Sequence, residues 1–400
     1  MLFRSILFVH NQYQQYGGED TTVRAERALL EANGHEVELL LFDNADIKTF
    51  MDKAFLLWSS IRNGHSFERL RTIIKAFRPD VVHFHNTFYV ASSSIFWVAK
   101  EYNLPVVATM HNYRLICSGA YLLRDGKICE LCVTKAFPIH GVVHGCFRGS
   151  HMLTAHLTIN TGINKVRGTY RNAVDRFITL TDFNRQKFLS SSMNLRTEQV
   201  MVKPNSVDDV GYSPADERNG AYLFVGRLAQ EKGLSTLLDA AVEAGFQLDI
   251  LGTGPLKGKV ESYSAYHSNI RYLGFKPRDI ILDYMRRAKA LIFPSLWYEG
   301  LPFTILEAMS TGMPVIVSDL GNLNEIVTDG VDGLHFSTGN AQELAQKVLA
   351  FDADLALRTH LGQGARQTYL ARYSPSTNYQ NLITLYQQVI KENKAKMPTA

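Results

Sequence analysis

Short apolar runs alternate with stretches of helical periodicity along almost the whole chain. Runs of strand length stand at Arg4–Val9, Val37–Leu41, Val81–Phe84, Val106–Met110, Arg176–Leu180 and Gln199–Val202. A second series follows at Tyr222–Val225, Gln247–Leu251, Ile270–Leu273, Ala290–Phe293, Val315–Val317 and Leu334–Phe336. Helical spacing fills several intervals, among them Thr22–Asn33, Leu234–Ala244, Asp279–Arg287 and Ala341–Phe351. This alternation predicts parallel sheets covered by helices on both faces, an α/β fold. Between the two series lies Val207–Gly220, polar and rich in turn formers, which reads as a linker. The last periodic stretch, Asn378–Asn393, is a helix that frays into a polar tail.

At 400 residues the chain exceeds what one core usually supports, so two domains are expected. Hydrophobic content of 46% and charged content of 20% suit a soluble enzyme. No apolar run approaches the roughly 18–20 residues that cross a bilayer. The start, Met1 to His10, turns polar too soon for a signal peptide and reads as a first strand, so a cytoplasmic protein is expected. The net charge of +4 is uneven: residues 1–203 hold 24 Lys and Arg against 17 Asp and Glu, and the remainder 18 against 21. A basic N-terminal half suits an anionic membrane face or an anionic acceptor, though solvated surface charge explains it as well. The stretch Asp46–Phe77 mixes Lys48, Lys53, Arg62, Arg69 and Arg71 with Phe50, Phe55, Trp58 and Phe67. It fits an interfacial helix, and packing of a Rossmann-type helix accounts for the same apolar residues.

Cys117, Cys129, Cys132 and Cys146 lie within 30 residues. In a cytosolic chain such clustering favours a structural zinc or free packing thiols over disulfides, and both of the former stay open.

The densest chemistry lies between Phe293 and Met309, where Glu299 precedes Gly300-Leu301-Pro302 and Glu307 falls inside the helix that follows. Pro302 fits its first turn. Helix N-termini attract phosphate and carboxylates accept hydrogen bonds from sugar hydroxyls, so this pair suits a ligand carrying both. After the strand Tyr222–Val225 come Gly226, Arg227 and Lys232, two cations at the carboxyl edge where open α/β sheets bind ligands. Gly252-Thr253-Gly254-Pro255 follows the next strand but lacks the third glycine of a dinucleotide fingerprint, which disfavours a dehydrogenase. Gly17-Gly18 follows strand one and either admits a phosphate to backbone N–H groups or forms a plain flexible loop. His111-Asn112 and His85-Asn86 end two more strands and suggest a polar acceptor pocket.

With these motifs together, the chain resembles the retaining glycosyltransferases of family four, of GT-B architecture and surface-polysaccharide type. Gly226-Arg227 to Gly233, Gly252 to Pro255, Glu299 with Glu307, Gly17-Gly18, and Lys203-Pro204-Asn205 with Asp208 carry the likeness over nearly the whole chain. The resemblance implies two doubly wound Rossmann-like domains facing a central cleft. Residues 1–206 would be the acceptor domain with a cysteine-rich insert at 111–150, 207–220 the linker, and 221–375 the donor domain. Residues 376–400 would be a helix returning to the first domain, with its tail. It further implies transfer of a sugar from a nucleoside-diphosphate sugar to a glycan, lipid-linked or polysaccharide-precursor acceptor, with no divalent metal required and no nucleic-acid partner. Peripheral contact with the inner membrane face fits the same picture. Arg227 and Lys232 would neutralise the diphosphate, Gly18 would sit beside it, and Glu307 would hold the ribose. Glu299, with Gly300 and Leu301, would contact the transferred sugar, Gly17, Gly252 and Gly254 would complete the donor site, and His111 would stand near the reacting centre. His85, Asn86 and Asn112 are the acceptor candidates. Front-side attack and double displacement with Glu299 as nucleophile both retain configuration. A nucleotide-sugar epimerase, a phosphorylase, or a partner protein of the same fold without activity remain as other readings.

Overall fold

The computed structural model describes residues 3–12, 17–43, 63–88 and 91–396. The chain divides into two compact units, one of residues 1–122, 129–203 and 379–400, the other of 123–128 and 204–378.

In the first unit six strands form one parallel sheet in the order β2-β1-β3-β4-β7-β8. They are β1 (Ser5–Gln12), β2 (Glu36–Asp43), β3 (Val81–Asn86), β4 (Val106–Thr109), β7 (Arg176–Thr179) and β8 (Val200–Val202). The strands read as unbroken apolar runs because helices cover both faces, and Ile6, Leu7, Phe8 and Val9 are all fully buried. Along β1 the pairing to β3 runs Val9 to Phe84 and then His10 to Asn86, so His85 is bulged out of register. Such a bulge re-aims one side chain. The end of the chain closes this unit's core: Leu382, Leu385, Tyr386, Val389 and Ile390, on the helix Pro375–Ala395, pack with Phe3, Ile6 and Phe8. Arg176 fixes that helix through both oxygens of Glu392, each at 2.7 Å.

The second unit repeats the plan in the order β11-β10-β9-β12-β13-β14. Its strands are β9 (Tyr222–Val225), β10 (Leu248–Leu251), β11 (Ile270–Gly274), β12 (Leu291–Phe293), β13 (Val315–Asp319) and β14 (Gly333–Ser337). In both sheets the order reverses beside the first strand, between β1 and β3 and between β9 and β12. A crevice at the carboxyl ends of those strands follows from the topology alone.

Three expectations need correction. Val207–Gly220 is no loose linker. Arg218 is buried within the second unit and donates to the carbonyls of Met285 (2.6 Å), Ala288 (3.2 Å) and Thr311. Tyr369 donates to Val207 O at 3.0 Å, and Ser213 N to Thr311 O at 2.9 Å. The polar composition read as a linker is thus used in binding the segment down. The boundary falls at Lys203/Pro204 rather than at 206. Pro302 does not lie in the first helical turn; it caps the helix Phe303–Ser310 from outside. The cysteine-rich insert holds a two-residue hairpin, β5 (Leu123–Arg124) with β6 (Lys127–Ile128), and the helix Ile139–Val143, followed by the helix His151–Val166. Of the stretch Asp46–Phe77, residues 46–62 lie outside the described residues. The rest forms the helix Gly64–Phe77, whose Phe67, Leu70 and Ile74 are buried as in an ordinary Rossmann-type helix.

Candidate active site

In the second unit, glycine brings two loops together. Gly233 has φ +69, and a Cβ there would stand 1.8 Å from Pro294 O, so only glycine lets the loop after β9 lie against the loop after β12. Lys232 on the first loop therefore reaches Glu299 on the second, with Nζ 2.7 Å from Oε1. The same oxygen accepts from Ser295 Oγ at 2.5 Å and Trp297 Nε1 at 2.8 Å. The ammonium also lies 5.3 Å from the Trp297 ring and 5.5 Å from Phe293, within cation–π range. Glu299 is almost fully buried, and Asn322 pins its loop by donating to the carbonyls of Glu299 (2.7 Å) and Gly300.

Arg227 pairs with Glu231 and its side chain is 58% exposed, so its guanidinium remains open to solvent on one side. Glu231 ties into the neighbouring loop, its carbonyl accepting from Leu296 N at 2.8 Å. Gly252 packs its loop onto this one: φ is +142 and a Cβ would meet Gly226 O at 1.9 Å. A Cβ on Gly254 would meet Leu228 O at 2.6 Å. Both glycines thus have a packing role that supports the backbone around Arg227. Glu307 does not join the Lys232–Glu299 contact. It faces Arg278, with Oε1 2.7 Å from Nε, and burial pushes its carboxyl above the usual range against the pull of that guanidinium. Phe275, just after β11, is 74% exposed.

The first unit carries a separate open recess, lined in part by Glu19, His85, Asn86, His111, Asn112 and Arg114. The strand-end pairs His85-Asn86 and His111-Asn112 thus meet in one place. Beneath it lies a buried polar network. His85 Nδ1 is 3.4 Å from His111 Nε2, and His85 Nε2 is 3.8 Å from Glu26 Oε2; neither of the latter two atoms has a hydrogen-bond partner. Glu26 Oε1 binds Lys203 Nζ at 2.5 Å. His83 bridges Tyr386 (2.6 Å) and Thr109 (2.8 Å), and His10 meets Asp20 at 2.9 Å. Burial lowers His111 to about 3, helped by His10 and Lys203 and opposed by Glu26, and it holds His85 well down too. Both imidazoles are neutral near pH 7. Glu19 accepts from Asn112 Nδ2 at 2.5 Å, and burial raises its carboxyl to about 7 despite Asn112 and Arg114.

Gly17 caps the helix Gly18–Ala32, its N–H donating to Asp20 at 2.9 Å. A Cβ at Gly17 would meet nothing within 4 Å, and its φ of −138 suits any residue. Packing therefore gives no reason for glycine there.

No disulfide joins Cys117, Cys129, Cys132 and Cys146. They do not converge as a closed coordination shell. Among the described residues the one trio of His, Cys, Asp or Glu ligand atoms within 4.8 Å of one another is Glu26, His83 and His85. Both nitrogens of His83 already have partners, and Lys203 already neutralises Glu26. Burial and the other three sulfurs push the Cys132 thiol up to about 11.

Sequence reasoning missed Glu19, Glu26, His10 and His83. Glu26 carried a usable signal, an acid between Val23 and Leu30 on the buried face of its helix.

Residues 16–210 match the family described as Glycosyltransferase Family 4, and residues 212–368 match Glycosyl transferases group 1. An uncharacterized glycosyltransferase of Methanocaldococcus jannaschii is 28% identical over 225 residues, covering 54% of this chain and 62% of the relative, less than two thirds of its length. The N,N'-diacetylbacillosaminyl-diphospho-undecaprenol alpha-1,3-N-acetylgalactosaminyltransferase of Campylobacter jejuni is 22% identical over 325 residues, 80% of this chain and 79% of that one. Among solved structures, Anabaena HepE in complex with UDP superposes with a TM-score of 0.65 at 17% identity, over 96% of this chain and 100% of the other. That likeness speaks for the fold.

Proposed function

We propose, taking the chain as the GT-B glycosyltransferase that its two matched families make it, that it transfers a sugar from a nucleoside-diphosphate donor with retention of configuration. The donor site is assigned to the loops after β9 and β12, and the acceptor site to the recess around His111. The carrying observation is Lys232, an ammonium held at the switch point of the second sheet by a buried carboxylate and two aromatic rings.

As the bond from the anomeric carbon to the diphosphate breaks, negative charge grows on the phosphate oxygens. A cation already oriented there stabilises that charge more than the ground state. Lys232 and the open side of Arg227 supply it. Glu307 is the acceptor for ribose hydroxyls, Phe275 a surface for the base, and Gly17 with Gly18 a point where phosphate can approach backbone. That last role answers the missing packing reason for Gly17. Glu299 is read as a positioning group rather than a nucleophile, because one oxygen already accepts three hydrogen bonds. This favours front-side attack: the acceptor oxygen bonds to the anomeric carbon on the face the diphosphate leaves, and its proton passes to the departing phosphate. A neutral His111 orients the hydroxyl and takes no proton. The C. jejuni relative acts on a diphospho-undecaprenol-linked sugar. A lipid-linked or polysaccharide-precursor acceptor is accordingly proposed for this chain.

The test is a thermal-shift screen of UDP-, GDP- and ADP-sugars against the parent chain and Lys232→Ala. A donor at 100 times its Kd stabilises the folded chain by about 2.7 kcal/mol. One donor should raise the parent's melting temperature and shift the variant far less. Equal shifts in both, or none in either, would refute the donor assignment. Analysis of the product anomer then decides retention.

A further inference from the structure

The helix His151–Val166 turns a largely polar face inward. Thr154, Thr158, Asn164 and Lys165 are buried, while Met152, Ile159 and Val166 point outward. The insert that packs on it has little regular structure of its own, a two-residue hairpin and the five-residue helix Ile139–Val143. Hydrogen bonds join the two: Thr154 Oγ1 accepts from Phe147 N at 3.0 Å, and Thr158 Oγ1 donates to Pro138 O at 3.4 Å. Segments this short supply little core and usually need a staple.

Lys165 is the anomaly on that inner face. It is only 8% exposed, yet no carboxylate among the described residues pairs with it. Its Nζ donates to Ser192 Oγ (2.9 Å) and Lys135 O (3.2 Å), neither of them charged. Between Glu130 and Asp175 the sequence holds no Asp or Glu. A buried ammonium without a counterion is costly. The groups that oppose this cost are sulfurs: burial lowers Lys165 to about 8, against the pull of Cys132 and Cys117. Those two belong to a cluster. Cys129 and Cys132 flank a turn in which Val133 N donates to Glu130 O at 3.0 Å. A Cβ on Gly119 would stand 3.9 Å from Cys117 Sγ and 3.7 Å from Cys146 Cβ, so this glycine keeps the space between Cys117 and Cys146 open. After burial, the sulfurs of Cys117, Cys146 and Cys129 all act on the Cys132 thiol.

We propose that Cys117, Cys129, Cys132 and Cys146 hold one structural zinc ion, with Lys165 as its buried counter-cation. Binding of Zn²⁺ releases the four thiol protons to solvent and leaves a site of formal charge minus two, half of which Lys165 offsets. No three of the sulfurs lie within 4.8 Å of one another, whereas Zn–S bonds of about 2.3 Å bring four sulfurs to roughly 3.8 Å. Cysteine has a single torsion before its sulfur, and a change of staggered well re-aims that sulfur with the backbone fixed. A closed shell of four thiolates leaves no position for substrate, so the role is structural. The ion would tie the insert to the helix whose His156, Leu157, Asn160 and Thr161 line the recess around His111.

The inference does not depend on the donor chemistry, since metal content is read whether or not sugar moves. The full chain, purified under reducing conditions without chelator, should carry about one zinc per chain by elemental mass spectrometry. Cobalt(II) alone, added to the chelator-stripped chain, should give a sulfur-to-metal charge-transfer band and the visible bands of a tetrahedral ion. Cys129→Ser with Cys132→Ser should lose the zinc and the cobalt spectrum. Lys165→Met keeps every ligand and separates the site from the fold. It should weaken the hold on zinc at least about tenfold in competition with a chromogenic chelator. If the cysteines are packing thiols, the same substitution removes an unpaired buried charge and raises the melting temperature instead. A chain that carries no zinc and gives no cobalt bands would overturn the proposal. So would zinc retained by the double serine variant, or a disulfide between any two of the four. Unchanged zinc affinity in Lys165→Met would remove the counter-cation.

Discussion

The two switch points, one per sheet, are built on opposite principles. Around β9 and β12 the charged groups are paired at short range and locked by packing: Lys232 on Glu299, Arg227 on Glu231, Gly233 and Gly252 pressed to carbonyls. Around β1, β3 and β4 the titratable groups are buried in depth and incompletely matched. Glu26 Oε2, His85 Nε2 and His10 Nδ1 have no hydrogen-bond partner, and the imidazoles of His85 and His111 stay neutral. A preformed cation site suits a ligand whose charge is always the same, as a diphosphate's is. A neutral polar pocket suits hydroxyls, which need orientation rather than charge.

The largest effect should break the buried side of this comparison. Lys203→Met leaves Glu26 ionised and unpaired in the first unit, and a broken buried pair costs about 3–5 kcal/mol, read by urea unfolding. Donor binding by the second unit should persist at temperatures where the variant is still folded. On the preformed side, Lys232→Ala should lower turnover by roughly 10²–10³, equivalent to about 2.7–4 kcal/mol in the transition state. Wild-type turnover at saturating donor would remove Lys232 from the mechanism. Glu307→Gln keeps the size but weakens the acceptor. If it holds the ribose, KM for the donor should rise about tenfold with kcat nearly unchanged, since a hydrogen bond to a charged group contributes about 1.5–3 kcal/mol. The smallest effect concerns pH. Burial holds the Glu19 carboxyl at about 7 against an ordinary 4.5, so the folded chain keeps a proton that the unfolded chain has lost. Stability from this group therefore falls as pH rises from 4.5 to 7 and is flat above. Glu19→Gln should flatten that slope in melting temperatures taken across this range. An unchanged slope would show that another group carries it.

The same contrast governs what could be read in advance. Strands such as Tyr222–Val225, and the helix Leu234–Ala244, were legible to the residue, because strands buried on both faces leave continuous apolar runs. The two loops that bring Lys232 to Glu299 could be picked out because glycines and charges had to stand at fixed spacing for the loops to touch. His85, Asn86, His111 and Asn112 could be placed at strand ends, but nothing local announced Glu19 or His10 as their neighbours, which chain topology brings from another strand and a helix. The hairpin Leu123–Ile128 escaped because two-residue strands leave no period to count. The helix His151–Val166 escaped because its apolar stripe faces outward, so its periodicity carries no core signal. The polar strap Val207–Gly220 shows that composition cannot separate a free segment from one whose Arg218 is buried on carbonyls.

The chain's last helix has a bearing on how the molecule is made. Leu382, Leu385, Tyr386 and Ile390 fill the core of a unit whose sheet is complete by Val202, nearly two hundred residues earlier. During synthesis that core must therefore stay incomplete until the second unit and the helix Pro375–Ala395 have been translated. The carboxy-terminal unit can mature first, an inversion of the usual order in which domains fold as they emerge. A premature stop that spares every residue of the proposed donor site would still leave its neighbour unfinished.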